Sequence, residues 1–212
     1  METLEQAWAF ALDPSKEFLL QLWRHLLLSG TALVAAIVIG VSVGIWISRY
    51  GAPARVVVNV TGILRVTPSI AVLFLLLPIL KTGFLPSLVA LTLLAVPPLL
   101  INTDAGMRGV DAAIMEAGRG MGMSRRQLLA RVQLPLASPV ILAGLRIAAI
   151  EVIASATLAS LIGGGGLGDF ILTCLALGRN DILLVGAIPV AAIALVAELG
   201  LGLAQRLAAR RA

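Results

Sequence analysis

Long apolar runs alternate along this chain with short polar punctuation. Residues 26–48 form 23 positions without a charged side chain. At about 1.5 Å per residue, such a helix reaches roughly 35 Å, enough to cross a hydrocarbon core of about 30 Å. The pattern predicts a membrane span there. A second span is predicted over 56–80, carrying Asn59, Arg65 and a break at Thr67-Pro68. A third covers 84–101 and is interrupted by Pro97-Pro98. A fourth covers 139–162, with Arg146 and Glu151 inside it, and a fifth covers 182–203, with Pro189 and Glu198. Proline removes a backbone donor, so each proline predicts a kink or a break. Such a break survives in a membrane where neighbouring helices or a water-filled path satisfy the freed carbonyl.

The polar punctuation is informative in its own right. Asp13-Pro14 reads as a helix start, followed by a weakly amphipathic stretch over 15–24. Arg49, Gly51, Pro53 and Arg55 mark a tight turn, and residues 81–83 mark another. Residues 102–138 change texture. Asp104 and Arg108 stand four apart, as an ion pair on a helix surface does. Met107, Val110 and Ile114 form an apolar stripe at helical spacing. Ser124 with Gln127 matches a capping box. A helix is therefore expected to begin at Ser124, pass through Leu128, Leu129 and Val132, and stop near Pro135. Residues 163–181 read as a loop whose apolar piece, 170–178, is too short to cross. Residues 204–212 form a basic tail.

Composition supports the same architecture. The chain is 59% hydrophobic and 13% charged, where soluble domains are about a quarter charged. The fold class expected is an all-α polytopic membrane protein, with five transmembrane helices and a cytoplasmic helical loop over 102–138. Net charge is +5, and arginine supplies 14 of the 16 basic residues. They cluster between apolar runs, which argues for loop charge and against nucleic-acid binding. With five spans, Arg49, Arg55, Arg108, Arg119, Arg125, Arg126, Arg131, Arg206, Arg210 and Arg211 fall on one side. Lys16, Arg24, Lys81 and Arg179 fall on the other. The positive-inside rule then puts the C-terminus in the cytoplasm and residues 1–25 outside. Those 25 residues hold Glu2, Glu5, Asp13 and Glu17 and lack the basic start of a secretory signal. Cys174 and His25 are each the sole residue of their type. An intrachain disulfide and a cysteine metal site are excluded, and His-based catalysis has no partner set. His25, beside Trp23 and Arg24, is expected at the membrane interface.

The sharpest motif lies in the polar excursion. Glu116-Ala117-Gly118 is followed by Gly122, then Val132, then Leu134-Pro135. This spacing resembles the Glu-Ala-Ala, Gly, Ile, Leu-Pro motif of permease subunits of binding-protein-dependent ABC importers. The resemblance runs from about residue 26 to the end. Gly118 replaces the second alanine and Val132 the isoleucine. Glycine there costs the helix up to about 1 kcal/mol against alanine. The stretch 116–148, with 156–171, is closer still to permeases for glycine betaine, carnitine, choline and related osmoprotectants.

The resemblance implies a type I importer fold in a bacterial or archaeal cytoplasmic membrane. It implies two ATP-binding subunits, a second permease subunit, identical or different, and an extracytoplasmic solute-binding protein. This chain would hold no cofactor and catalyse nothing; ATP and magnesium would belong to the partner ATPase. The docking segment would comprise Glu116, Ala117, Gly118, Arg119, Gly120, Met121, Gly122, Met123 and Ser124, with Leu134 and Pro135 returning it to the membrane. Gly120 and Gly122 would form its turn, and Glu116 and Arg119 would supply charge-assisted contacts.

Three further features carry open readings. "GGGGLG", with Gly163, Gly164, Gly165, Gly166 and Gly168, formally fits a dinucleotide loop but lacks the strand–loop–helix setting that such a loop needs. It reads as an outer gate or as an ordinary flexible turn. Arg65, Pro68 and Glu151 lie within spans, where ionisable residues face a bundle interior or a water-filled path. Arg65 is the expected partner of Glu151, as part of a translocation path or as a structural pair. Arg146 is expected to snorkel, and Glu198 to reach the cytoplasmic interface.

Methionine and other amino-acid ABC permeases remain an alternative, since they share the size, the topology and a stretch like "ILRVTP" at 63–68. An ion-coupled secondary transporter would often show an internal repeat, and none is apparent. An integral membrane enzyme would need paired catalytic groups at one depth, and none of the five spans holds an aspartate.

Overall fold

The computed structural model describes residues 17–210, with the side chains of residues 52–55, 180 and 181 left aside. The helix start predicted at Asp13-Pro14 lies outside the described residues. All regular structure among the described residues is helical. The first helix, α1, spans Phe18–Ile47. It begins eight positions before the predicted span, and Gln21 in that extension has a polar partner, described below. After a turn come α2, Ala52–Val66, α3, Ser69–Leu75, and α4, Leu77–Leu80. Pro53 belongs to the first turn of α2, where a missing N–H costs nothing. The next long helix, α5, is Phe84–Arg108. Two short helices follow, α6 over Ala112–Gly120 and α7 over Arg125–Leu128. A π-helical stretch, Leu129–Gln133, leads into α8, Leu134–Leu158, which ends in a 3₁₀ turn over Ala159–Ile162. Then come α9, Gly168–Leu177, and α10, Asn180–Ala209.

Among the described residues, four helices are long and apolar enough to cross a membrane: Phe18–Ile47, Phe84–Arg108, Arg125–Ile162 and Ile182–Ala209. The predicted second span is a helix pair that is long and apolar enough only when its two parts are taken together. Val56–Val66 and Ser69–Leu80 meet at 97°. Thr67 and Pro68 are both extended, with ψ of 128° and 132°, so the expected kink is a corner. The residue before a proline is pushed out of the helical region, and nothing restores it here.

The opposite outcome holds at Pro97-Pro98. The break predicted there does not occur, and α5 runs straight through both prolines, which are buried. Packing outweighs the local cost of about 3 kcal/mol. Asn102 Nδ2 meanwhile donates to the Pro98 carbonyl at 2.7 Å. Pro135 likewise fails to end its helix. The π-helical turn just before it widens the backbone where the ring would otherwise crowd the preceding carbonyls. The predicted stop near Pro135 is therefore a continuation, from Arg125 to Ile162.

The core gathers around α5. Leu28, Ala32 and Ala36 of α1 meet Leu91, Ala95 and Leu99 of α5 and Ala148, Val152 and Ala156 of α8. Small residues every four positions let the backbones approach. Gly40 and Gly44 continue the α1 ladder: a β-carbon on Gly44 would lie 2.6 Å from that of Thr103. Gly144 of α8 is pressed against Asn102 in the same way, at 2.6 Å. Hydrophobic burial gives no net drive between helices in lipid, so this close contact supplies the attraction.

Candidate functional site

The polar excursion folds as a helical hairpin. Asp111 caps α6 by accepting from the Ala113 N–H at 2.8 Å. Glu116, Ala117, Gly118, Arg119 and Gly120 are all helical. The turn follows them. Gly122 adopts φ of 78°, a left-handed conformation that suits glycine. Its N–H bonds the Arg119 carbonyl at 2.9 Å, and the Met123 N–H bonds that of Gly118 at 3.2 Å. This pair of bonds is a Schellman termination. The turn predicted over 116–122 is thus shifted: 116–120 form the helix, and Gly120 is no turn glycine.

Ser124 then opens α7 with the predicted capping box. Ser124 Oγ accepts from the Gln127 N–H at 3.3 Å, and Gln127 Oε1 accepts from the Ser124 N–H at 2.8 Å. Gly118 has a role that spacing alone did not reveal. It is buried, and a β-carbon there would stand 2.5 Å from Leu128 Cδ1. Its smallness lets α7 close on α6. The outer surface of the hairpin stays bare: Glu116, Ala117, Arg119 and Gly120 are exposed, and Met121 is 75% exposed. The stripe of Met107, Val110 and Ile114 is broken by a bend at Val110, with Met107 buried in α5 and Ile114 exposed on α6.

One contact ties the end of the hairpin to the bundle, and another fastens the helix that leads into it. Gln133 Nε2 donates to the Met107 carbonyl at 3.0 Å. Arg108 pairs with Asp104 at 2.8 Å, as its spacing predicts. The same guanidinium also donates to the carbonyls of Ile47, at 3.0 Å, and Tyr50, at 2.5 Å. It therefore ties the end of α1 to the end of α5. Leu134 and Pro135 sit at the start of α8, so the hairpin continues into the rod Arg125–Ile162.

Within the membrane-spanning part, charges sort themselves by packing. Arg146 of α8 forms an ion pair with Glu198 of α10. The pair leaves both side chains partly exposed, at 40% and 28%. The partners are 52 residues apart in sequence and are joined only because α10 packs along α8. Glu151 of α8 and Arg65 at the end of α2 are the expected partners. The two do not form a contact ion pair: those among the described residues are Arg108–Asp104 and Arg146–Glu198. Pro68 lies at the corner just after Arg65 and is exposed.

The glycine-rich segment is not a loose turn. Gly164, Gly166 and Gly168 are buried, while Gly163 is exposed and Gly165 is half-buried. The Gly166 N–H donates to Gln21 Oε1 at 2.8 Å, and Ser160 Oγ donates to the Gly165 carbonyl at 3.1 Å. A β-carbon on Gly164 would come within 2.5 Å of Ser87 Oγ, and one on Gly168 would collide with the Thr157 carbonyl. The segment is seated against α1, α5 and α8 together. His25 lies beneath it and is fully buried, with its backbone 3.2 Å from where a Gly166 β-carbon would stand. The interfacial position expected for His25 is thereby corrected. Its neighbours Trp23 and Arg24 suggested an interface, but the close approach of Gly166 covers it.

Sequence reasoning missed Asp111, Gln21 and the second role of Arg108. Asp one residue before an alanine-rich helix is a capping signal that was available. The other two depend on elements far away in the chain.

Among the described residues, a helical hairpin with a bare outer surface joins two helices long and apolar enough to cross a membrane. The chain belongs to the family described as "Binding-protein-dependent transport system inner membrane component", which matches residues 36–212. It is a multi-pass inner-membrane component of an ABC importer, and ATP hydrolysis and solute capture belong to separate subunits of such systems. It is 46% identical to the carnitine transport permease protein OpuCB of Listeria monocytogenes, over 91% of this chain and 88% of that protein. It is 38% identical to the choline transport system permease protein OpuBB of Bacillus subtilis, over 90% and 88%. A chain of the MetNI methionine ABC transporter, solved in inward-facing conformations, superposes with a TM-score of 0.80 at 22% identity, covering 90% of this chain and 95% of that one. The fold is that of a type I importer permease.

Proposed function

We propose that this chain is the permease of an ATP-driven importer for small quaternary-ammonium osmoprotectants such as glycine betaine, carnitine and choline. The observation that carries the reading is its 46% identity, over nearly the whole chain, to a carnitine transport permease. The amino-acid alternative has less support, since the likeness to the methionine transporter stands at 22% identity and concerns the fold. In this reading two permease subunits line one path and two ATP-binding subunits sit beneath. A solute-binding protein docks outside. The N-terminus is extracytoplasmic and the C-terminus cytoplasmic, from the distribution of arginine.

The exposed hairpin is the docking element. Glu116, Arg119 and Met121 offer charge and a flexible apolar contact to a groove on the ATPase. The Schellman turn at Gly122 holds the two short helices in fixed relation. Closure of the ATPase pulls the hairpin, and the continuous helix from Arg125 carries that displacement into the bundle. Two alternate packings are enough for alternating access, and no covalent step is required of this chain. Glu151, Arg65 and Pro68 line the path. The glycine segment at 163–168 forms an outer gate that moves as a packed unit.

Reconstitution in proteoliposomes tests the reading. Uptake of glycine betaine should require the permease, its ATPase, the binding protein and internal ATP together. Uptake driven by an ion gradient alone would sink it. The path assignment has its own test: Glu151→Gln should lower uptake and solute-stimulated ATP hydrolysis, and unchanged transport would remove Glu151 from the path.

A further inference from the structure

The hairpin leaves the bundle at the end of α5 and returns at the start of α8, and its two legs are joined at their base. α5 and α8 touch closely at Gly106, where a β-carbon would lie 3.0 Å from the Ala137 carbonyl. Beyond that contact the legs part: α5 ends at Arg108 and the chain bends at Val110. On the returning leg stands the π-helical stretch Leu129–Gln133, closed by a bond from the Leu134 N–H to the Leu129 carbonyl. Such turns are rare and concentrate at functional sites. The last carbonyls of an α-helix have no partner within the helix. That of Met107 is met by Gln133 Nε2, which donates at 3.0 Å across 26 positions. Gln133 is half-buried and Met107 is buried. Among the described residues, no other side-chain hydrogen bond joins the two legs.

The next residue, Arg108, caps α1 through the carbonyls of Ile47 and Tyr50. One amide thus staples the mouth of the hairpin to a helix end that is itself fixed to α1. A force on the hairpin acts on both legs. With the base closed, the residues between Met107 and Gln133 move as one piece, and displacement reaches α5 and α8 together. With the base open, the first movement widens the mouth. The last turn of α5 frays, the π-helical stretch relaxes, and less displacement arrives in the bundle. Helix ends and irregular turns are where local opening is easiest. A neutral amide closes this gap without a counter-charge, which a charged group in a half-buried place would require.

We propose that Gln133 is a positioning residue for energy coupling: its bond to the Met107 carbonyl makes the hairpin a lever on α5 and α8 at once. It acts through that carbonyl, not by contact with the solute. This rests on the reading of the hairpin as the docking element for the ATPase and goes further, since it names the residue that delivers the pull to both helices.

The test uses the purified permease–ATPase complex in nanodiscs. Amide hydrogen exchange is followed at 107–111 and 129–134, with and without a non-hydrolysable ATP analogue. In the wild type both stretches should keep their protection when the nucleotide binds. Gln133→Met has a similar length but no donor. Nucleotide binding should raise its exchange there by about fivefold, the size expected for one lost hydrogen bond. Gln133→Lys, which can still donate, should stay near the wild type. Unchanged exchange in Gln133→Met overturns the staple, and so does a wild-type base that opens equally. In proteoliposomes with the binding protein, glycine betaine taken up per ATP hydrolysed should fall severalfold in Gln133→Met, with ATPase co-purification intact. An unchanged ratio, or loss of the ATPase itself, also overturns the staple. Exchange separates the two readings. If the ATPase does not shield 116–121 in the wild type, the docking reading falls and takes the lever with it. Shielding there, with Gln133→Met like the wild type, removes the staple alone. A wild type that takes up no glycine betaine would count against the solute, and exchange would still decide on the staple.

Discussion

The chain has two glycine-rich segments, and they use glycine in opposite ways. In the hairpin, Gly122 supplies a left-handed turn and Gly118 a close contact, and the surrounding surface remains bare. In the segment 163–168, three of the five glycines are buried against other backbone, and two hydrogen bonds hold it in place. The first leaves its outer surface bare, and the second is packed into its own bundle. Glycine content alone says nothing about flexibility; what a β-carbon would meet decides it.

Substitutions can break or sharpen this contrast. The largest effect is expected at Gly168→Val, where the side chain drives into the Thr157 carbonyl. Overpacking of this kind costs about 1–3 kcal/mol or more, and the unfolding midpoint in detergent should fall clearly. A normal midpoint would mean that the segment is softer than its packing indicates. Gly122→Val comes next. A β-branched residue at φ of 78° costs about 1–2 kcal/mol locally. Because the hairpin stands apart from the core, the global midpoint should hold while ATPase co-purification or coupling of hydrolysis to uptake falls. Full coupling in that variant would place the joint elsewhere.

Arg146→Gln tests the link between α8 and α10. Both partners are partly exposed, at 40% and 28%, so the loss should be about 1 kcal/mol. Swapping the charges, with Arg146→Glu and Glu198→Arg together, should recover most of it. A swap no better than the single variants would argue against direct pairing. The smallest change is expected at Gly120→Ala. That glycine is helical and exposed, with open space where a β-carbon would go. Alanine should be neutral or stabilise α6 by about 0.5–1 kcal/mol, read from stability and unaltered coupling. Loss of coupling would show that the ATPase approaches the backbone at that position.

Much of the architecture was legible along the chain. Apolar runs locate every long helix, because a helix in lipid must be apolar over about 20 residues. The capping box at Ser124 and the pair Asp104–Arg108 are local, with all partners within four positions, and both form. The prolines were not legible one by one. Thr67-Pro68 makes a corner, Pro97-Pro98 none, and Pro135 is absorbed by a π-helical turn. The local cost is similar at each, but the packing that opposes it is not.

By itself the sequence determined what short-range physics controls: where helices run, how one is capped, where a glycine can end another, and the motif that names the family. Only tertiary structure decided which charges meet, which glycines are buried, and that His25 is covered. Arg146 finds Glu198 across 52 positions. Such pairings depend on the register of one helix against another, and that register is set by many small contacts that no single stretch of the chain contains.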